Sequence, residues 1–224
     1  MSRSLFFING SPRPAEKSCS HKMIQYFTEK LTATYTSITC ANIDKLYHTH
    51  CFEDHFKQAV QADTLVIMSP LYIDDLPSCV LDYLEQFECY IKSHPHEITH
   101  PIRLYAFINC GFMGGYQNTI ALDVLKHFSN HIGFIWSGGL GVGSGSLLAS
   151  STPLEHPMHG PIIKGAELLI SAIKEQSPIP TPDKKLLITP DLPFPAFMDS
   201  IHKLWYDSSD LTEDQFYHKP YAED

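Results

Sequence analysis

The sequence predicts an α/β fold built on a doubly wound parallel sheet, and three observations lead there. Short apolar runs of strand length recur along the chain, stretches with helical apolar spacing lie between them, and the two alternate five times in order. The strand-like runs are Leu5–Ile8, Ser37–Ile43, Thr64–Met68, Arg103–Asn109 and Gly133–Leu140. After the first, Ile24, Phe27 and Leu31 fall on one helical face, and after the second a shorter helix is marked by Phe52, Phe56, Ala59 and Val60. Val80, Leu84, Phe87 and Ile91 mark the third helix, and Ala121, Val124, Leu125, Phe128 and Ile132 the fourth. Ile162, Ala166, Leu169 and Ile173 mark the fifth. Strands fed by such crossovers run parallel with right-handed connections. Ligands of these sheets bind beyond the carboxyl ends of the strands, where strand order reverses, so function is to be sought in the loops after strands one, three and four.

Composition bounds the rest. The chain has 224 residues, enough for one large domain with an appendage; 43% are hydrophobic and 18% charged, a globular balance rather than a disordered one. A formal net charge of -9 leaves no electrostatic footprint for nucleic acid or an anionic membrane, and the apolar runs fall far short of the roughly 20 residues of a membrane helix. The six cysteines are scattered and never form C-x-x-C, which sets the expectation of a reduced, cytoplasmic protein. Cys40, Cys79 and Cys110 lie in apolar stretches and are expected to be buried as small hydrophobes. After Gln176 the prolines crowd (Pro178, Pro180, Pro182, Pro190, Pro193, Pro195), denying both helix and central strand. The chain thus reads as a domain over 1–176 and an extension over 177–224, an extended arm followed by an amphipathic helix near Phe197–Tyr206. The arm is expected to wrap a partner subunit, with a lid as the other reading.

The loop after strand one reads Asn9-Gly10-Ser11-Pro12-Arg13-Pro14-Ala15-Glu16-Lys17-Ser18-Cys19-Ser20 and opens a helix at about Ser18. A helix N-terminus offers unpaired N–H groups and the positive end of the dipole to a phosphate. The hydroxyls of Ser11, Ser18 and Ser20 add donors, and Arg13 adds charge. A plain β–α turn with a serine N-cap uses the same residues. Neither a Walker loop nor a G-x-G-x-x-G fingerprint is present.

N-G-S-P-R before a serine-started helix resembles the NADPH-dependent FMN reductase and NAD(P)H:quinone oxidoreductase group of flavodoxin-like proteins. Two further segments agree with it: Met68-Ser69-Pro70-Leu71-Tyr72-Ile73-Asp74-Asp75-Leu76-Pro77 after strand three, and Asn109-Cys110-Gly111-Phe112-Met113-Gly114-Gly115-Tyr116 after strand four. The resemblance runs over roughly residues 4 to 175. It implies a five-stranded sheet in the order 2-1-3-4-5. It implies bound FMN, with Ser11, Arg13, Ser18, Cys19 and Ser20 around the phosphate, and Pro70, Leu71, Tyr72 and Ile73 along the ribityl chain and ring edge. Asn109, Cys110, Gly111, Phe112, Gly114 and Gly115 would meet the pyrimidine end. NAD(P)H would be the co-substrate and a small molecule such as a quinone, azo or nitro compound, or free flavin, the electron acceptor. Partner subunits complete such sites, so a homo-oligomer is expected, a dimer first. The sequence departs from the family at Pro14-Ala15-Glu16-Lys17, where an inward Glu16 would repel a phosphate.

Since the cofactor carries the chemistry, no catalytic side chain is named; His159 is the one histidine considered as a proton source for the acceptor. His48, His50, Cys51 and His55 have metal-like spacing; a single thiolate excludes an iron–sulfur site, three His and one Cys would suit zinc, but solvated or interface histidines are the expected reading, so no metal is expected. The run Gly138-Gly139-Leu140-Gly141-Val142-Gly143-Ser144-Gly145-Ser146 contains no nucleophile elbow and reads as a flexible loop. A flavodoxin-type electron carrier and a scaffold without flavin remain as alternatives to the reductase.

Overall fold

The computed structural model describes residues 3–49, 52–149, 153–207 and 209–218; the side chains of Glu16, Tyr47, His48, Ser146, Ala149 and Leu204 lie outside that description. Strands β1 (Ser4–Asn9), β2 (Ser37–Asn42), β3 (Thr64–Pro70), β4 (Arg103–Asn109), β5 (Ile135–Val142) and β6 (Lys185–Ile188) form one sheet in the order β2-β1-β3-β4-β5-β6, every pair parallel. The helices are α1 (Cys19–Leu31), α2 (Ile43–Thr49), α3 (Phe52–Val60), α4 (Ser78–Ser93), α5 (Thr119–His131), α6 (Ser146–Ala149), α7 (Gly160–Glu175), α8 (Phe194–Asp207) and α9 (Glu213–Tyr217).

Alternation along each strand explains why the central strands read as unbroken apolar runs. In β1, Phe6 and Ile8 enter one core with residues of α3, α4 and α5, while Leu5 and Phe7 enter a second core with α1 and α7. Met23, Ile24, Phe27 and Leu31 of α1 are buried in that second core, as are Ile162, Ala166, Leu169 and Ile173 of α7. Edge strand β2 is different: Thr39 and Cys40 are exposed. Of the three cysteines expected inside, only Cys110 is buried; Cys79 is half-buried, and Cys40 is exposed because its strand has a neighbour on one side only.

The order 2-1-3-4-5 is found, with a sixth strand added at the β5 edge. Proline density concealed it, but the Lys185–Ile188 window holds no proline, and an edge strand tolerates prolines on either flank. β5 also runs later than expected. Gly133 (φ 78) turns the chain out of α5, and the glycines read as a loop lie inside the strand, Gly138, Gly139 and Gly141 pairing with Tyr105, Ala106 and Ile108.

Two compact units result, Met1–Pro190 and Asp191–Asp224, so the first unit runs past Gln176 through β6. Within the second, α8 covers the expected helix, and α9 starts with a capping box of Thr212 and Gln215. Tyr206 packs edge-on against Phe216, ring centroids 5.6 Å apart, joining the two helices.

Candidate cofactor-binding site

Strand register brings the three motif loops to one edge of the sheet. Asn9 at the end of β1 lies beside Met68, Pro70 at the end of β3 beside Asn109, and Asn109 at the end of β4 beside Val142. Strand order reverses between β2-β1 and β1-β3, so the loop after β1 opens at the switch point.

That loop is built locally. The Ser11 N–H donates to Asn9 Oδ1 (3.2 Å), and the Arg13 N–H to Ser11 Oγ (3.3 Å). A 3-10 turn over Ala15–Lys17 follows, and Ser18 caps α1 by accepting from the His21 N–H at 3.1 Å. Ser11 and Ser18 are buried, Cys19 is half-buried and Arg13 is exposed. No acidic residue lies in the first turn of α1, and Arg13, Lys17 and Lys22 outnumber Glu16 around this end of an acidic chain. Ser20 is only 1% exposed and lies 3.5 Å from Asn109 Nδ2, so its side chain faces the sheet. Cys19 Sγ donates to Gly145 O at 2.9 Å, tying the helix start to the loop after β5.

Beyond β3, Pro70 is half-buried and Leu71 is buried, its N–H bound to Asn109 O at 2.7 Å. Tyr72 and Asp75 then exchange backbone bonds around Ile73 (φ 49) and Asp74 (φ 63). Aspartate tolerates that left-handed backbone, but a β-branched isoleucine is strained there by about 1–3 kcal/mol. The Tyr72–Asp75 bonds hold Ile73 at the tip of the turn against that strain, 93% exposed, beside a Tyr72 that is 41% exposed.

The loop after β4 is held from a distance. Asn109 is buried, and its Nδ2 donates to Ser69 O at 3.2 Å, so it braces strand ends more than it faces outward. Cys110 is buried as well: its thiol faces Phe112 O (3.5 Å) and Gly114 O (3.6 Å), and burial raises its pKa. Gly111 is exposed, with space for a Cβ on every side, and Phe112 is 51% exposed. Gly114 and Gly115 are buried instead. A Cβ on Gly114 would overlap the Tyr116 ring, and one on Gly115 the Ile188 carbonyl, so both glycines make room for protein. Asn118, which the sequence reading missed, is fully buried and donates to Gly115 O (2.9 Å) and Val142 O (3.2 Å). Its only signal was an Asn just before a helix, which reads as an ordinary N-cap; here its side chain makes no cap bond.

His159 is 0% exposed, which removes it from reach of an acceptor stacked on an open surface. His50 and Cys51 lie outside the described residues, and among those described no group of three His, Cys, Asp or Glu could hold a metal ion. Two groups of these residues could hold FMN. A phosphate would meet Ser11, Arg13, Ser18 and the first turn of α1, and a flat ring would meet Leu71, Tyr72, Ile73, Gly111 and Phe112. Ser20, Cys110, Gly114 and Gly115 shape those surfaces from within.

No protein-family model matches the chain, and no curated protein matches it in sequence. Its backbone is similar to that of an apo NADH:FMN oxidoreductase, at TM-score 0.56 and 14% identity over 83% of this chain and 95% of that one. It is similar to an NAD(P)H:quinone oxidoreductase from Methanothermobacter marburgensis at TM-score 0.58 and 13% identity, over 79% of this chain and 96% of that one. An FMN-dependent NADH-azoreductase from Bacillus anthracis str. Ames Ancestor, solved with FMN, matches at TM-score 0.52 and 13% identity, over 78% of this chain and 99% of that one. At these identities the likeness is one of fold alone, and it agrees with the strand order above: the fold is α/β and flavodoxin-like.

Proposed function

We propose that this chain is an FMN-dependent oxidoreductase that passes reducing equivalents from NAD(P)H to a small acceptor. One observation carries the reading: a basic, serine-capped helix start and an exposed apolar surface of Tyr72, Ile73 and Phe112 stand at the same sheet edge, at the switch point. Phosphate binding suits the first element and a flat conjugated ring the second. The likeness to solved flavin reductases supports the same class through the fold.

In this proposal the O–H groups of Ser11 and Ser18 and the first-turn N–H groups of α1 hold the phosphate, while Arg13 balances its charge. Tyr72 and Phe112 flank the ring, and Gly111 keeps space for its edge. Bound there, FMN supplies a two-electron relay between donor and acceptor. NAD(P)H gives up a hydride and leaves as NAD(P)+; the acceptor gains two electrons and two protons, the second proton coming from solvent. No side-chain acid is needed. The test is a visible spectrum of protein reconstituted with FMN and desalted, then titrated anaerobically with NADPH and NADH. Retained flavin bands that bleach with either nucleotide are expected. Bleaching with dithionite alone would replace the reductase by an electron carrier, and loss of all flavin on desalting would overturn the reading.

A further inference from the structure

We infer that β6, through Ile188 and Thr189, is the positioning element for the loop that carries Gly111 and Phe112; the inference rests on the flavin reading above. The strand's end meets the loop directly. The Gly115 N–H donates to Thr189 Oγ1 at 3.0 Å, and a Cβ on Gly115 would lie 2.6 Å from the Ile188 carbonyl carbon and 2.7 Å from its nitrogen. The Gly143 N–H donates to Ile188 O at 2.9 Å, while a Cβ on Gly143 would overlap Met113 O. The stretch Met113–Gly115 is therefore gripped between the end of β5 and the end of β6. At its other end β6 is anchored by Lys185, which pairs with Asp123 of α5 at 2.6 Å. The Lys185 side chain is mostly covered, so this pair is screened less than an open surface pair.

The consequence falls on Phe112. Its carbonyl accepts from the Ser144 N–H at 2.6 Å, and the loop leaves it through Gly115, whose place β6 sets. Ser144 reaches that position only in the left-handed region (φ 52), with a buried side chain. The angle at which Phe112 and Gly111 meet a ring is thus set by a strand far along the chain, and Thr189, just past its end, gives the loop a side-chain hydrogen bond at Gly115. Thr189 is exposed and bonds the loop at Gly115, three residues beyond Phe112, so it acts through Gly115.

The test compares Thr189→Val, which keeps the shape and removes the acceptor, with Thr189→Ser, which keeps the acceptor. The full-length chain is used for FMN titration, thermal melting and hydrogen exchange over residues 111–116. Losing one hydrogen bond of ordinary strength predicts an FMN Kd raised about three- to tenfold in Thr189→Val. Exchange should be faster over the same segment, the melting temperature lower by about 2–8 °C, and Thr189→Ser within about twofold of the parent in Kd and exchange. If the parent binds FMN and Thr189→Val alters neither Kd nor exchange, the positioning role is overturned while the flavin reading stands. If exchange rises but Kd does not, β6 holds the loop without serving a ligand, and the inference falls. A parent chain that binds no FMN fails the flavin reading itself, and takes with it the role assigned to Thr189, whatever the exchange shows.

Discussion

The loops after β1 and β4 stand at the same edge of the sheet, yet they are made in opposite ways. In the first, the bonds that shape the loop itself join residues two or three apart, Asn9 with Ser11, Ser11 with Arg13 and Ser18 with His21, while the long reaches, Gly10 to Met68 and Cys19 to Gly145, lie at its two ends. In the second, Gly115 is bound 74 residues away at Thr189, and Asn118 reaches 24 residues to Val142. The difference teaches that a phosphate-type loop can be written into a short stretch of sequence, whereas a ring-type surface needs the folded sheet to exist first. It also predicts where substitutions hurt: mildly in the first loop, and severely in the second wherever distant backbone grips it.

The largest expected effect is that of Gly143→Ala. The new Cβ would overlap the Met113 carbonyl, a backbone atom that cannot swing aside, and a loss of about 3 kcal/mol or more is expected from urea unfolding. Gly111→Ala, in open space in the same loop system, should stay within about 0.5 kcal/mol of the parent. Equal costs at the two positions would break the comparison. Next is Asn118→Ala, which strips the donor from the buried Gly115 and Val142 carbonyls and should cost about 2–3 kcal/mol in the same measurement.

On the other side, Ser18→Ala removes the α1 cap and should cost about 1 kcal/mol, with Ser18→Asn restoring most of it. A cost as large as that of Asn118→Ala would show that the first loop, too, is held from afar. The smallest effect concerns pH. Burial raises the Cys110 pKa above its ordinary 9.0, so the folded chain holds that proton more tightly than the unfolded one. Its contribution is intact below pH 9, where both states are protonated, and is lost as pH rises through the folded value. Urea midpoints from pH 8 to 10.5 should therefore fall more steeply in the parent than in Cys110→Ala, a difference of well under about 1 kcal/mol at pH 9.5. Parallel slopes would mean that Cys110 is not shielded by this loop.

The same contrast decides what could be read in advance. Arg103–Asn109 was legible to the residue as β4, since a strand buried on both faces must be apolar throughout. The start of α1 at Ser18 was legible through its cap. Gly115 was legible as a glycine but not in its purpose. Backbone approach to a ligand and backbone approach to β6 ask for the same missing side chain, and only the fold separates them. The glycines of β5 misled in the same way, reading as a flexible loop while filling a strand pressed against its neighbours.

By itself, then, the sequence determined the alternating α/β order, the apolar faces and the locally capped helix start, because each depends on residues within a turn or a strand length of one another. The tertiary structure alone decided that a four-residue window between prolines becomes β6, that Asn118 and Thr189 hold the loop after β4, and that Ser20 and His159 are turned inward. Those outcomes depend on which distant backbone arrives beside a residue, and local pattern carries no record of that.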